Sequence, residues 1–143
     1  MALPETEEGF EIWPQLSDSK HVVCEWKLST VLMMDDTNYP CWLVLVPRRK
    51  GAGEMTDLSE NDQQELMREM MRASSALKEL FKPTKMNVAA IGNMCRQLHI
   101  HVTARTEEDP SWPGPCYGLP MKKFGEEELA NMLKLLREKF GEE

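Results

Sequence analysis

The sequence predicts an α+β fold, a mostly antiparallel five-stranded sheet interrupted by one long helix and followed by a C-terminal helix. Three observations carry this. Short extended runs follow one another across turns too tight for a crossover, residues 59–81 switch from a two-residue to a 3.6-residue apolar period, and the helical period returns near the C-terminus. At 143 residues and 41% apolar content the chain has the size and the hydrophobic side chains for one packed core. A single domain over residues 1–143 is expected, with its core at about 22–118, an N-terminal arm at 1–20 and a closing helix at about 125–140.

The arm is acidic and irregular, with Phe10, Ile12 and Trp13 as docking points. Residues 22–27 alternate, Val22, Cys24 and Trp26 against Val23, Glu25 and Lys27, as a half-buried strand does, and Leu28 and Ser29 leave room only for a tight turn before the run 30–34. Turn residues fill 35–40. Residues 41–46, Cys-Trp-Leu-Val-Leu-Val, are apolar on both parities, which marks a central strand covered on both faces. In the long helix Ser59 is placed to cap the start, Asp62 sits at the third helical position and Pro83 marks the end. Its core-facing stripe reads Leu66, Met67, Met70, Ala73, Ala76, Leu77, Leu80 and Phe81. The runs 86–91 and 97–103 form the last strand pair. Four prolines (Pro110, Pro113, Pro115 and Pro120) then make 109–120 a loop around Trp112, before Leu129, Met132, Leu133, Leu136 and Phe140 fall at helical spacing.

Charge and cysteine usage exclude several classes. A net charge of −7 without a dense basic stripe argues against nucleic acid as a partner. No apolar run approaches membrane-spanning length, and residues 1–8 lack the positive-then-apolar pattern of a secretory signal, so a cytoplasmic protein is expected. Cys24, Cys41, Cys95 and Cys116 are widely spaced, which suits reduced thiols better than a disulfide framework.

The chemistry concentrates in residues 97–105, Gln-Leu-His-Ile-His-Val-Thr-Ala-Arg. In a strand Leu98, Ile100 and Val102 share one face, and Gln97, His99, His101 and Thr103 share the other. Two adjacent imidazoles suit nucleophilic or acid–base chemistry near neutral pH. An amphipathic strand with its polar face in water is the plain alternative. A metal site built from His99, His101 and either Cys41 or Cys95 is another. His21, alone before a strand, reads as a surface or edge residue.

This run resembles the signature of the histidine triad superfamily of nucleotide hydrolases and transferases, in which three histidines alternate with apolar residues. Residues 44–49, Val-Leu-Val-Pro-Arg-Arg, the helix start at 57–59 and Trp112-Pro113-Gly114-Pro115 extend the resemblance to the short stand-alone bacterial members over about 22–118. It implies that His99 is the nucleophile that carries a nucleotidyl group, that His101 is its partner, and that Gln97 stands where the first histidine would be. It further implies phosphate contacts from Asn87, Gly92 and Asn93, and a ribose-binding carboxylate at Asp35 or its neighbour Asp36. Cys41, where many relatives have another histidine, and Met94, where many have Ser or Thr, are departures. The resemblance implies a purine nucleotide or nucleotide conjugate as ligand, no resident cofactor beyond a divalent metal accompanying a polyphosphate substrate, and a homodimer formed through the long helix and a neighbouring strand. A nucleotide-binding protein with little turnover stays open beside the enzyme, as does the choice for Trp112 between closing the pocket and anchoring its loop.

Overall fold

The computed structural model describes residues 4–141. Five strands, β1 (Lys20–Glu25), β2 (Ser29–Met34), β3 (Cys41–Pro47), β4 (Lys85–Ala89) and β5 (Ile100–Arg105), form one antiparallel sheet in the order β1-β2-β3-β5-β4. Three helices accompany it, a single turn α1 (Pro14–Ser17), the long α2 (Glu60–Phe81) and α3 (Glu126–Phe140). The sheet, the long helix and the closing helix are those expected; α1, with Leu16 buried, is the piece that the reading of an irregular arm missed.

The sheet separates two hydrophobic layers of different size. The larger lies under α2 and α3 and gathers Leu43 and Leu45 of β3, Ile100 and Val102 of β5, Leu66, Ala73 and Leu77 of α2, and Leu136 and Phe140 of α3. The smaller lies on the opposite face, where Trp42, Val44 and Val46 of β3 meet Leu16, Leu32, Tyr39 and Cys116. Every residue of β3 is buried because this strand is covered on both sides, which accounts for its unbroken apolar run.

Three local readings need correction. Val22 is 51% exposed while Val23 is 4% exposed. The cause is a β-bulge between Val22 and Cys24, which inserts Val23 and reverses the parity of the apolar positions. On α2, Ser59 caps the helix by accepting from the Asp62 N–H at 3.1 Å, as the spacing requires, but Met67 points to solvent at 54% exposure and Glu69 is buried in its stead. Glu69 is held there because its Oε2 accepts the Leu28 N–H at 2.8 Å, supplying a partner at the β1–β2 turn. Cys41 shares the larger core with Leu43 and Leu45, on the face of the sheet away from His99 and His101, so it is no partner for them.

The two sheet edges differ. At β1, Arg137 of α3 donates to the Val22 and Val23 carbonyls, which blocks further strand pairing. At the other edge, β4 carries the 38% exposed Val88. Among the described residues no helix is long and apolar enough to cross a membrane.

Candidate active site

The polar face of the histidine run comes together as its alternation requires, with one change at its start. Sheet pairing begins at Ile100, opposite Leu45, not at residue 97. Extending that register would set Leu98 against Pro47, whose ring nitrogen has no hydrogen to donate. Leu98 instead donates its N–H to the Ala52 carbonyl at 3.0 Å. The Gln97 carbonyl is thereby left outside the ladder, and His99 Nδ1 lies 2.7 Å from it. A carbonyl only accepts, so Nδ1 carries the proton and Nε2 presents its lone pair. Burial pushes the His99 pKa below its ordinary 6.5, opposed by that hydrogen bond and assisted by the nearby Lys20 charge.

His101 is held in the other tautomer. The Trp42 indole N–H can only donate, and it donates to His101 Nδ1 at 3.0 Å, so neutral His101 carries its proton on Nε2. Burial, with smaller contributions from His99 and Lys20, lowers its pKa to about 4. The two rings stand 5.0 Å apart, centroid to centroid, at 71°. One ring therefore offers a lone pair and its neighbour an N–H, both uncharged at neutral pH. Trp42 was missed in the sequence because both parities of β3 are apolar; the pairing of Trp42 with Thr103 and Val44 with His101 is what puts the indole on the histidine face.

Gln97 does something that its place in the motif does not announce. Its Nε2 donates to the Glu11 carbonyl at 2.8 Å and its Oε1 accepts the Trp13 N–H at 2.9 Å, so both ends of the amide bind the backbone of the N-terminal arm. Phe10 and Ile12 pack on the smaller core beside this clamp, as docking points should, while Trp13 is 45% exposed. A histidine could not make this pair of bonds in its neutral form without matching both groups through one ring.

Gly92 adopts φ +61°, a conformation that L side chains resist, and a Cβ there would come within 3.1 Å of the Cys95 carbonyl and 3.9 Å of His99 Cε1. The 92–96 turn can approach His99 closely for that reason. Asn93 in this turn is exposed. Asn87, opposite Thr103 on β4, accepts from Arg105 Nη1 through Oδ1 at 2.8 Å, which leaves its amide N–H groups free to donate.

The two aspartates divide their work. Asp35 Oδ1 accepts the Phe124 N–H at 2.9 Å and its Oδ2 stands 3.4 Å from His21 Nε2. Asp36 Oδ1 accepts from the Asn38 N–H at 3.0 Å and the Lys122 N–H at 3.2 Å. Both carboxylates hold the 122–124 segment to the β2–β3 turn, and no hydrogen bond occupies Asp36 Oδ2 among the described residues.

The proline-rich loop is ordered by a buried ion pair. Arg105 and Asp109 meet through Nε and Oδ2 at 2.7 Å and through Nη2 and Oδ1 at 3.0 Å, and Nη2 also donates to the Gly114 carbonyl at 2.7 Å. Removing one member of such a pair leaves a buried charge, at a cost of about 3–5 kcal/mol. Trp112 packs on this pair, its ring 5.7 Å from the Arg105 guanidinium, as a loop anchor would. The loop aromatic beside the histidine strand is Tyr117, its ring 5.1 Å from His101 and 5.8 Å from Trp42. Among the described residues no group of three or more His, Cys, Asp or Glu side chains is placed to hold a metal ion, and Cys41 lies on the face away from the histidines.

A neutral imidazole with a free Nε2, a second imidazole offering an N–H, and a glycine turn against the first thus share one face of a five-stranded sheet. The HIT domain model covers residues 15–108. The chain belongs to the HIT family. A histidine triad protein from Bradyrhizobium japonicum superposes with a TM-score of 0.87 at 41% identity, over 91% of this chain and 97% of that one. Another from Marinobacter aquaeolei VT8 gives 0.88 at 39% identity, over 92% and 96%. An AP-4-A phosphorylase of Mycobacterium tuberculosis is 31% identical over 106 residues, 69% of this chain and 54% of that protein. The chain thus spans about half the length of the curated relatives it matches.

The lowered pKa of His101 has a sign that can be checked. Below the unfolded value of 6.5 the unfolded chain takes a proton that the folded chain refuses until about pH 4, so stability falls across that window. Between pH 7 and pH 5 the wild type should lose about 1–2 kcal/mol more of its unfolding free energy than His101→Gln, measured by urea denaturation. An equal loss in both proteins would contradict the buried neutral imidazole.

Proposed function

We propose that this HIT protein is a nucleotidyl hydrolase or transferase that cleaves a nucleoside phosphoramidate or dinucleoside polyphosphate through a nucleotidyl-histidine at His99. The observation that carries the reading is the Gln97 carbonyl on His99 Nδ1, which directs the Nε2 lone pair outward. In the first step Nε2 forms a bond to the nucleotide phosphorus and the bond from phosphorus to the leaving oxygen or nitrogen breaks. His99 becomes cationic, and the Gln97 carbonyl, already accepting from Nδ1–H, stabilises that charge more strongly than the neutral ring. The N–H on His101 Nε2, the turn at Gly92 and Asn93, and the free amide donors of Asn87 serve the phosphoryl oxygens. Water or another acceptor then attacks phosphorus, the Nε2–P bond breaks, and neutral His99 returns. Asp36 is the carboxylate for the ribose hydroxyls, since its Oδ2 is uncommitted while Asp35 is tied to Phe124 and His21. The AP-4-A phosphorylase relative supports a dinucleoside polyphosphate, and a purine nucleotide, as the substrate class.

The protein should hydrolyse at least one member of a panel of adenylated and guanylated phosphoramidates and dinucleoside polyphosphates, and intact-mass spectrometry after rapid quench in alkaline denaturant, which preserves a phosphorus–imidazole bond, should find one nucleotidyl group per chain. His99→Ala should lose both turnover and adduct while binding AMP within a few-fold of wild type. Most of the wild-type rate surviving in His99→Ala would refute the covalent mechanism.

We further propose a cytoplasmic homodimer. The four cysteines are free. The Arg137 side chain closes the β1 edge, which directs pairing to β4, where Val88 is exposed; Ile91 beyond it and Met67 and Met71 of α2 are exposed as well. Sedimentation equilibrium should find a dimer for the wild type and a monomer for Val88→Asp; a monomeric wild type at micromolar concentration would overturn this assembly.

A further inference from the structure

Lys20 opens β1 directly opposite Met34, and directly opposed residues in an antiparallel pair share a face. Met34 packs on the smaller core, so Lys20 belongs to the face of the sheet that carries His99 and His101. It is half-buried, yet among the described residues its ammonium makes no hydrogen bond or ion pair. Arg48, Arg49 and Arg105, by contrast, are each matched to a carboxylate, Glu25, Asp62 and Asp109 respectively. Burial is the largest influence on Lys20, lowering its pKa, with Cys95 of the glycine turn and Asp18 acting in the opposite direction. A half-buried cation without a counter-ion is destabilised by lost hydration, and an anion placed against it removes that penalty.

Distance decides which anion. The order β1-β2-β3-β5 sets Lys20 three strand spacings from the histidine strand, about 14 Å between backbones. Across that gap the Lys20 charge still acts on both His99 and His101. A backbone separation of three strands suits a phosphate farther along the same chain better than the phosphoryl group bonded to His99.

We propose that Lys20 is an anion subsite that binds a phosphate of a nucleoside polyphosphate beyond the phosphoryl group at His99, and so selects polyphosphate substrates over those with a single phosphoryl. This rests on the reading that a nucleotide phosphoryl sits at His99 Nε2. In a chain with net charge −7 a local cation is needed for a polyanion to approach at all. Lys20 is a positioning residue for that chain, with no part in bond making.

The test is calorimetric binding of AMP and of the α,β-methylene analogue of ATP, which cannot be cleaved at the α–β bridge, to the full-length wild type, Lys20→Met and Lys20→Arg. The wild type should prefer the triphosphate analogue about tenfold or more. Lys20→Met should lose most of that preference while its AMP affinity stays within about twofold, and Lys20→Arg should restore it. An unchanged preference in Lys20→Met, or equal weakening for both ligands, overturns the subsite. Because neither measurement involves turnover, failure here is distinct from failure of the His99 adduct.

Discussion

The hydrogen bond from His99 Nδ1 to the Gln97 carbonyl is the constraint on which the site depends. It exists because the sheet stops pairing one residue before Ile100. Pro47 cannot donate to extend the β3–β5 ladder, Leu98 turns its N–H to Ala52, and the Gln97 carbonyl is left without a ladder partner. A strand paired along its whole length would engage that carbonyl, and the imidazole would be free to present either nitrogen. The proline after the apolar run of β3 in this sense sets the tautomer of His99, though it does not touch the ring.

A second constraint comes from covering the histidine face with a small hydrophobic layer. Trp42 and Tyr117 pack against His101, whose partial burial lowers its pKa to about 4, and the Trp42 indole fixes its tautomer. Full burial would deny a substrate access, so the cover is assembled from parts with separate attachments. The arm is held by Gln97 and by Arg48, which donates to the Glu5 carbonyl and the Thr6 hydroxyl; the loop is held by Arg105 and Asp109. Replacing the first histidine of the family motif with glutamine exchanges a titratable ring for a two-ended amide, and that exchange couples the arm to the residue whose carbonyl orients the nucleophile.

Much of this was legible in the residues themselves. The alternation of 97–103 placed both histidines on one face because a strand has a strict period of two, and Ser59 with Pro83 bounded α2 because capping and proline chemistry are local. What escaped the sequence was set by tertiary contacts. Trp42 could not be picked out as the neighbour of His101, since a strand buried on both faces shows no alternation to mark it, and Cys41, one of the alternative metal ligands, lies on the other face. A single bulge at Val23 undid the parity of β1. Met67 lost its place in the core to Glu69 because the β1–β2 turn needs an acceptor, and Tyr117, not Trp112, is the loop aromatic beside His101. None of these has a signal within its own segment.

The opposite tautomers of the two histidines can be measured directly. In the ligand-free protein at pH 7, ¹⁵N-resolved imidazole spectra should show His99 protonated on Nδ1 with Nε2 bare, and His101 protonated on Nε2 with Nδ1 bare. His99 found as the Nε2–H tautomer, or as imidazolium, would contradict the account, because no lone pair would then face the phosphorus.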